Sequence, residues 1–256
     1  MPEDLYAGFA DRYDLFLGQF GEHDPGVRAF FGSLFRENGV RSVLDCACGT
    51  GNDLVLFHSL GCEVVGSDIS PSMLAQARRN LAGLGLELPL HQVDYRHLPE
   101  CFGRTFDAVV CLSSAILHMP DETEASKAFR SMAGVLRPGG ILVLTQGTSD
   151  RQWREKPRFL LALDNEEVTR LFVIDYEGQG ARYNILDIGH RQPGGELKVW
   201  SADYPRVLLR DDYARLLPEA GFASVCFYGG YGFEPYDKEE SRRLIVVAKR
   251  GVKEEQ

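Results

Sequence analysis

No run in this 256-residue chain reaches the roughly 20 consecutive apolar residues that a membrane-spanning helix needs. The N-terminus, MPEDLYAGFADRYD, is acidic and lacks the charged-then-apolar pattern of a secretory leader. A soluble, cytoplasmic protein is expected. Basic residues are outnumbered, 28 against 37 acidic, for a formal charge of -9. A non-specific nucleic-acid binder needs the opposite balance, because Lys and Arg must neutralise phosphates. The acidic surplus permits a cationic or amine ligand. Cysteine is sparse, and only Cys46 and Cys48 lie close together. No second pair and no histidine at metal-finger spacing accompanies them, so reduced core thiols are expected and no metal is assigned. Internal repeats, low-complexity tracts and linkers are missing too.

What remains is 44% apolar, enough for a sizeable core. The pattern suggests one domain, 1–256, in zones. Residues 1–40 are aromatic and helical in pattern, with Leu5, Phe9, Tyr13 and Phe16 near helical spacing. Asp24-Pro25 then starts a helix that Asn38-Gly39 ends. Residues 41–148 alternate strand and helix signals. Strands are expected at 42–45, 62–68, 88–92, 106–112 and 141–145. Ser70-Pro71, and Asp121 with Glu124, cap helices between them. Such crossover units build a mostly parallel sheet covered on both faces. Residues 149–209 read as an antiparallel insertion: a helix or irregular segment at 153–163, then strands at 168–176, 182–190 and 196–204, with turns at 177–180 and 192–195. Residues 210–256 return to the main sheet with a helix and strands at 222–228 and 244–248. The fold class is therefore α/β, doubly wound, with seven strands.

The strongest local signal is Asp45-Cys46-Ala47-Cys48-Gly49-Thr50-Gly51-Asn52, between a strand and a helix. Its glycines permit a tight turn and close backbone approach, and the helix N-terminus favours a negative group. It lacks the third glycine of a dinucleotide fingerprint and the G-K-[ST] of an ATPase loop. Asp68 closes the next strand, where a carboxylate accepts ribose hydroxyls. Asp94 follows the third strand beside Tyr95. The fourth ends in Cys111-Leu112-Ser113-Ser114. All four features fall on the carboxyl rim of the sheet, where open parallel sheets bind ligands.

These motifs, in this order over about 40–146, resemble those of class I S-adenosylmethionine-dependent methyltransferases. The carriers are Val43 to Gly51, Asp68-Ile69-Ser70-Pro71-Ser72-Met73-Leu74, Phe106 to Cys111, and Leu136-Arg137-Pro138-Gly139-Gly140. The layout Ser113-Ser114-Ala115-Ile116-Leu117-His118 is similar to small-molecule N-methyltransferases of the glycine and sarcosine type, although those enzymes often carry glycine at the place of Ser113. The resemblance implies S-adenosylmethionine as cofactor. Gly49, Gly51 and Ala47 would line its methionine moiety, with Asp45 and the Leu112 carbonyl reaching the ammonium. Asp68 would hold the ribose, Ile69 and Met73 would flank adenine, and Asp94 and Tyr95 would sit at the adenine edge. Tyr13 would close over the cofactor from a 1–40 lid. The 149–209 insertion would shape the pocket of a small-molecule acceptor.

Four residues are candidates for work on that acceptor. His118 could orient it or act as a base. Arg206 could meet a carboxylate with its planar fork. Tyr176 and Tyr204 are pocket candidates from the ribbon. The carboxylate-binding arginine of the glycine enzymes does not transfer to a residue here. An amine acceptor attacking in line is the first reading. An O-methyltransferase, a nicotinamide oxidoreductase and a non-catalytic cofactor binder are the alternatives, and a monomer or homodimer is expected.

Overall fold

The protein, seen in a computed structural model, is described over residues 4–16, 19–190 and 195–252. Among the described residues before Pro25, α1 (Ala10–Tyr13) and a 3-10 turn, Asp14–Phe16, are helical. The longer helix suggested by the aromatic spacing does not form. Residues 5–9 are turns, and Phe9 precedes α1 without a side-chain cap. In α2 (Pro25–Glu37), Asp24 accepts from the Gly26 N–H and Pro25 needs no partner, so the start is satisfied locally. Phe30, Phe31, Leu34 and Phe35 form its buried face.

The main sheet uses β1 (Ser42–Asp45), β2 (Glu63–Asp68), β3 (Leu90–Gln92), β4 (Phe106–Cys111) and β5 (Leu136–Gln146) in parallel. Helices α3 (Asn52–Ser59), α4 (Pro71–Gly83), α5 (Leu98–Cys101) and α6 (Glu122–Gly134) lie between them. Ser70 caps α4 through the Met73 N–H, and Asp121 caps α6 through the Glu124 N–H. After the insertion come α8 (Arg210–Glu219), β10 (Phe222–Tyr228) and β11 (Leu244–Arg250), and β11 runs antiparallel to both β5 and β10. The strand order is β10-β11-β5-β4-β1-β2-β3. The doubly wound seven-stranded sheet is thus as expected. Its order reverses between β1 and β4, which opens a crevice at their carboxyl ends. The central strands are buried on both faces because helices pack on each, leaving one apolar cluster around Leu44, Val109 and Phe129 and another around Val43, Phe57 and Val110.

The insertion differs from its sequence reading. Helix α7 (Asp150–Glu155) is short, stopped by Lys156 in the left-handed region and then Pro157. The stretch read as helical or irregular becomes a strand, β6 (Phe159–Asp164). It pairs with β7 (Val168–Glu177), and β8 (Gly180–Gly189) and β9 (Glu196–Tyr204) complete an antiparallel sheet in the order β6-β7-β8-β9. A run too short and apolar to show a period is decided by its neighbour: β7 supplies the hydrogen-bond ladder. The turn expected at 192–195 falls, except for Gly195, outside the described residues. No helix among the described residues is long and apolar enough to cross a membrane.

Candidate active site

The crevice begins at the end of β1. Gly49 and Gly51 take φ of +52° and +90°, so the chain turns back on itself without side chains in the way. A Cβ at Gly49 would point into the space between Met73 and Tyr13, 3.7 and 3.9 Å away. The Gly49 N–H donates to Asp68 Oδ2 at 2.9 Å, and the Ser70 N–H donates to Asp68 Oδ1 at 2.9 Å. The end of β2 is thereby tied to the turn after β1. Asp45 is buried and accepts from the Ala47 N–H at 3.2 Å. Among the described residues no cationic side chain pairs with it. Burial and then the nearby Asp53 push its carboxyl well above the ordinary carboxylate range. Asp68 is also raised, again chiefly by burial. Two desolvated carboxylates facing one crevice favour a ligand bearing positive charge and hydroxyl donors.

The N-terminal segment lies across this crevice. Asp4 accepts from the Ser70 hydroxyl and the Ser72 N–H, and Asp14 accepts from the Thr50 hydroxyl and Asn80. These contacts hold both ends of the segment on the cofactor-side turns. Tyr6 and Tyr13 then meet edge to face, with centroids 6.3 Å apart. The Tyr6 hydroxyl lies 2.8 Å from His118 Nε2. His118 stacks edge-on against Tyr204 at 5.0 Å, and Tyr204 meets Tyr183 at 5.0 Å. Burial pushes the His118 imidazole down to about 4, while its bond to the Asp203 backbone acts the other way. The ring is therefore neutral at pH 7, donating to Asp203 and leaving Nε2 as an acceptor. Burial raises the phenols of Tyr6, Tyr13 and Tyr204, so all three stay protonated.

The β4 exit explains an irregularity in the sequence. Ser113 and Ser114 both adopt left-handed φ, +54° and +68°. That backbone suits glycine, and here Thr145 secures it instead. The Ser113 N–H donates to the Thr145 hydroxyl at 2.9 Å and the Ser114 N–H to its carbonyl at 2.8 Å. The turn presents His118 to the crevice.

The remaining expected residues separate into two groups. Ala47, Met73 and Leu112 lie at the crevice, although the Leu112 carbonyl already accepts from the Ala115 N–H. Ile69 is 48% exposed beside Asp68. The Asp94 carboxylate is forked by Arg96 and caps the turn at Tyr95, and the Tyr95 hydroxyl donates to the Ala115 carbonyl from within the core. Two acceptor candidates need correction. Arg206 does not face the crevice: its guanidinium binds Glu122 and Asp212 at 2.8 and 2.9 Å, joining α6 to α8. Tyr176 donates to the Pro157 carbonyl and packs on Trp153, away from His118. In both cases a nearer partner captures the polar group. Tyr6 was overlooked by sequence reasoning, although its seven-residue spacing from Tyr13 was the available signal.

Residues 43–140 match the methyltransferase domain family. A glycine/sarcosine N-methyltransferase of Parasynechococcus marenigrum is 37% identical over 58% of this chain and 52% of its own length. The chain thus spans about half of that relative. A second glycine/sarcosine N-methyltransferase, from Aphanothece halophytica, is 28% identical over 95% of this chain and 88% of its own. Among solved structures, the sugar N-methyltransferase KedS8 of Streptoalloteichus superposes with a TM-score of 0.70 at 28% identity, covering 94% of this chain and 93% of the other. Residues 43–140 are thus a methyltransferase domain, and the chain as a whole is similar to S-adenosylmethionine-dependent N-methyltransferases. The nicotinamide reading falls with that assignment.

The crevice fits this family's cofactor. At Gly49 the missing side chain lets a ligand approach the backbone beside Met73 and Tyr13. Asp45 is a buried carboxylate suited to an ammonium, and Asp68 keeps acceptor capacity for vicinal hydroxyls. The acidic lining of the crevice complements a sulfonium. Among the described residues, no group of three or more potential metal ligands is gathered anywhere.

Proposed function

We propose that this methyltransferase methylates the nitrogen of a small amine held between the 1–40 lid, the β4 exit and the 149–209 insertion. The observation that carries the reading is the buried cluster of Tyr6, Tyr13, His118 and Tyr204 beside the Asp45–Asp68 crevice. S-adenosylmethionine, when bound, supplies a methyl group already activated by its sulfonium. The protein therefore has to bind, orient and exclude water. Asp45 binds the ammonium of the cofactor and Asp68 its ribose. Gly49, Gly51, Ala47, Met73, Ile69 and the Leu112 carbonyl line it, with Asp94 and Tyr95 bounding the adenine side. Tyr6 and Tyr13 cover the reaction centre.

His118 Nε2 is the acceptor that orients the amine. In the closed chamber it faces the Tyr6 hydroxyl, and an amine N–H takes that place. A hydrogen bond at Nε2 fixes the nitrogen so that its lone pair points across the chamber. An imidazole with a pKa of about 4 is too weak a base to hold the proton permanently, so the proton released by the amine passes on to water. Tyr204 forms the aromatic wall behind the amine.

The acceptor carries no obligatory carboxylate. Arg206 is committed to Glu122 and Asp212, while Arg12 and Arg170 both bind Asp187. The test is a panel of primary and secondary amines, amino sugars, glycine and sarcosine, incubated with methyl-labelled S-adenosylmethionine and read by product mass. Amines without a carboxylate should gain label on nitrogen, and glycine should be poor. Label on oxygen alone would overturn the N-methyl assignment. Glycine as the best acceptor would overturn only the carboxylate claim.

A further inference from the structure

The antiparallel sheet has two faces with opposite characters. Its inner face carries Ile174, Tyr183 and Tyr204 toward the chamber. On its outer face Phe159, Leu161, Ile188, Leu197 and Val199 are 61, 64, 41, 62 and 59% exposed. They are five of the nine large apolar side chains left in water among the described residues. The register places them together. Leu161, Leu171, Leu186 and Val199 form one row across all four strands, Phe159 pairs with Val173 in the next, and Ile188 pairs with Leu197 on the other side. The result is a continuous apolar face on the order of 600 Å², as large as the greatest patch of a typical monomer and approaching the roughly 800 Å² per partner of a standard interface.

We propose that this face is the interface of a homodimer, with two copies of the sheet packed face to face about a two-fold axis. Two observations select a second copy as the occupant. The first is size: a two-fold contact uses the same patch twice, so two such faces bury about 1,200 Å² in total, the lower end of the range for a stable interface. The second is charge. The chain carries -9, and most of its surface would repel a copy of itself. Part of the charge bordering this face is paired instead: Arg182 binds Asp203 at 2.6 Å and Arg158 binds Asp175 at 3.4 Å. Two acidic chains therefore meet here with much of the bordering carboxylate charge already neutralised. Sheets pack in this way about 10 Å apart, with the side chains of the facing rows interleaved. The dimer also bears on the site. Tyr204 stands on the same strand as Val199, so covering the outer face braces the acceptor wall from behind.

The experiment is sedimentation velocity on the full chain from micromolar to tenths of millimolar. Parallel runs use Leu161→Glu and Val199→Glu, two variants at different strands of one row. Both positions lie in water, so the folded chain tolerates them. Near-UV circular dichroism and calorimetric binding of S-adenosylmethionine verify that fold. The unaltered protein should sediment as a dimer, and each variant should raise the dimer dissociation constant at least 100-fold while still binding S-adenosylmethionine. A monomer at every concentration would overturn the proposal. So would a dimer that both variants leave intact, since the contact would then lie elsewhere. Phosphatidylcholine vesicles serve as the remaining probe: a monomeric protein that pellets with them would assign the face to a lipid surface and overturn the dimer.

Discussion

Asp187 is the point where the N-terminal segment and the antiparallel sheet meet, and its loss should separate global folding from local docking of that segment. The carboxylate is 2% exposed and takes Arg170 in a fork, at 2.5 and 2.7 Å, from a guanidinium that is itself fully buried. Arg12 of the lid adds a third bond at 2.8 Å and is 18% exposed. Burial alone would raise the Asp187 carboxyl, but the hydrogen bonds from Arg170 and Arg12 hold it below its ordinary value. Asp187→Asn removes the charge of the buried carboxylate that pairs with Arg170, which costs about 3–5 kcal/mol. For a chain of this size that corresponds to a melting-temperature loss of roughly 6–20 °C. Arg12→Ala leaves the Arg170 fork intact and removes one charge-assisted bond, worth about 1.5–3 kcal/mol. That bond closes a four-residue helix, so its loss appears as local opening. Hydrogen exchange over 6–13 should accelerate by roughly 10- to 100-fold, S-adenosylmethionine should bind more weakly, and the melting temperature should move little. Thermal unfolding, exchange mass spectrometry and calorimetry read the three quantities. Equal melting losses for the two variants, or a loss under about 2 °C for Asp187→Asn, would refute the reasoning.

Two further outcomes follow from buried titrating groups. His118 has a folded pKa of about 4 against an ordinary 6.5, so the unfolded chain binds more protons between those values. Stability should therefore be unaffected by this group above pH 6.5 and fall as pH drops toward 4, by up to about 3 kcal/mol; His118→Asn should flatten that limb in chemical unfolding curves. The Asp45 carboxyl is raised by burial, whereas an ammonium beside it favours the ionised form. S-adenosylmethionine binding should thus release a proton near the raised pKa and weaken as pH falls through it. Calorimetry in buffers of different ionisation enthalpy measures the release, and Asp45→Asn should abolish it; the same release from Asp45→Asn would assign the proton to another group.

The amino-acid sequence alone determined whatever rests on local order along the chain. The strand–turn–helix from Val43 to Asn52 and the Asp68 strand end are contiguous, so their geometry follows from strand termination, glycine and capping. The caps at Asp24, Ser70 and Asp121 work within three residues of themselves. Alternation of strand and helix signals was likewise enough for the seven-stranded sheet, because crossover connections admit few arrangements. Tertiary structure decided the rest, since each such outcome turned on a partner distant in sequence. Arg206 was a plausible anchor until Glu122, 84 residues away, captured it. Tyr6 belonged to no pattern read from the sequence, and only its contact with His118, 112 residues away, brings it into the site. Residues 159–164 carried no decisive period and became a strand only because β7 offered a ladder. The outer face of the sheet emerges only once four strands fall into register, for alternating apolar residues on separate strands do not reveal that they share one surface.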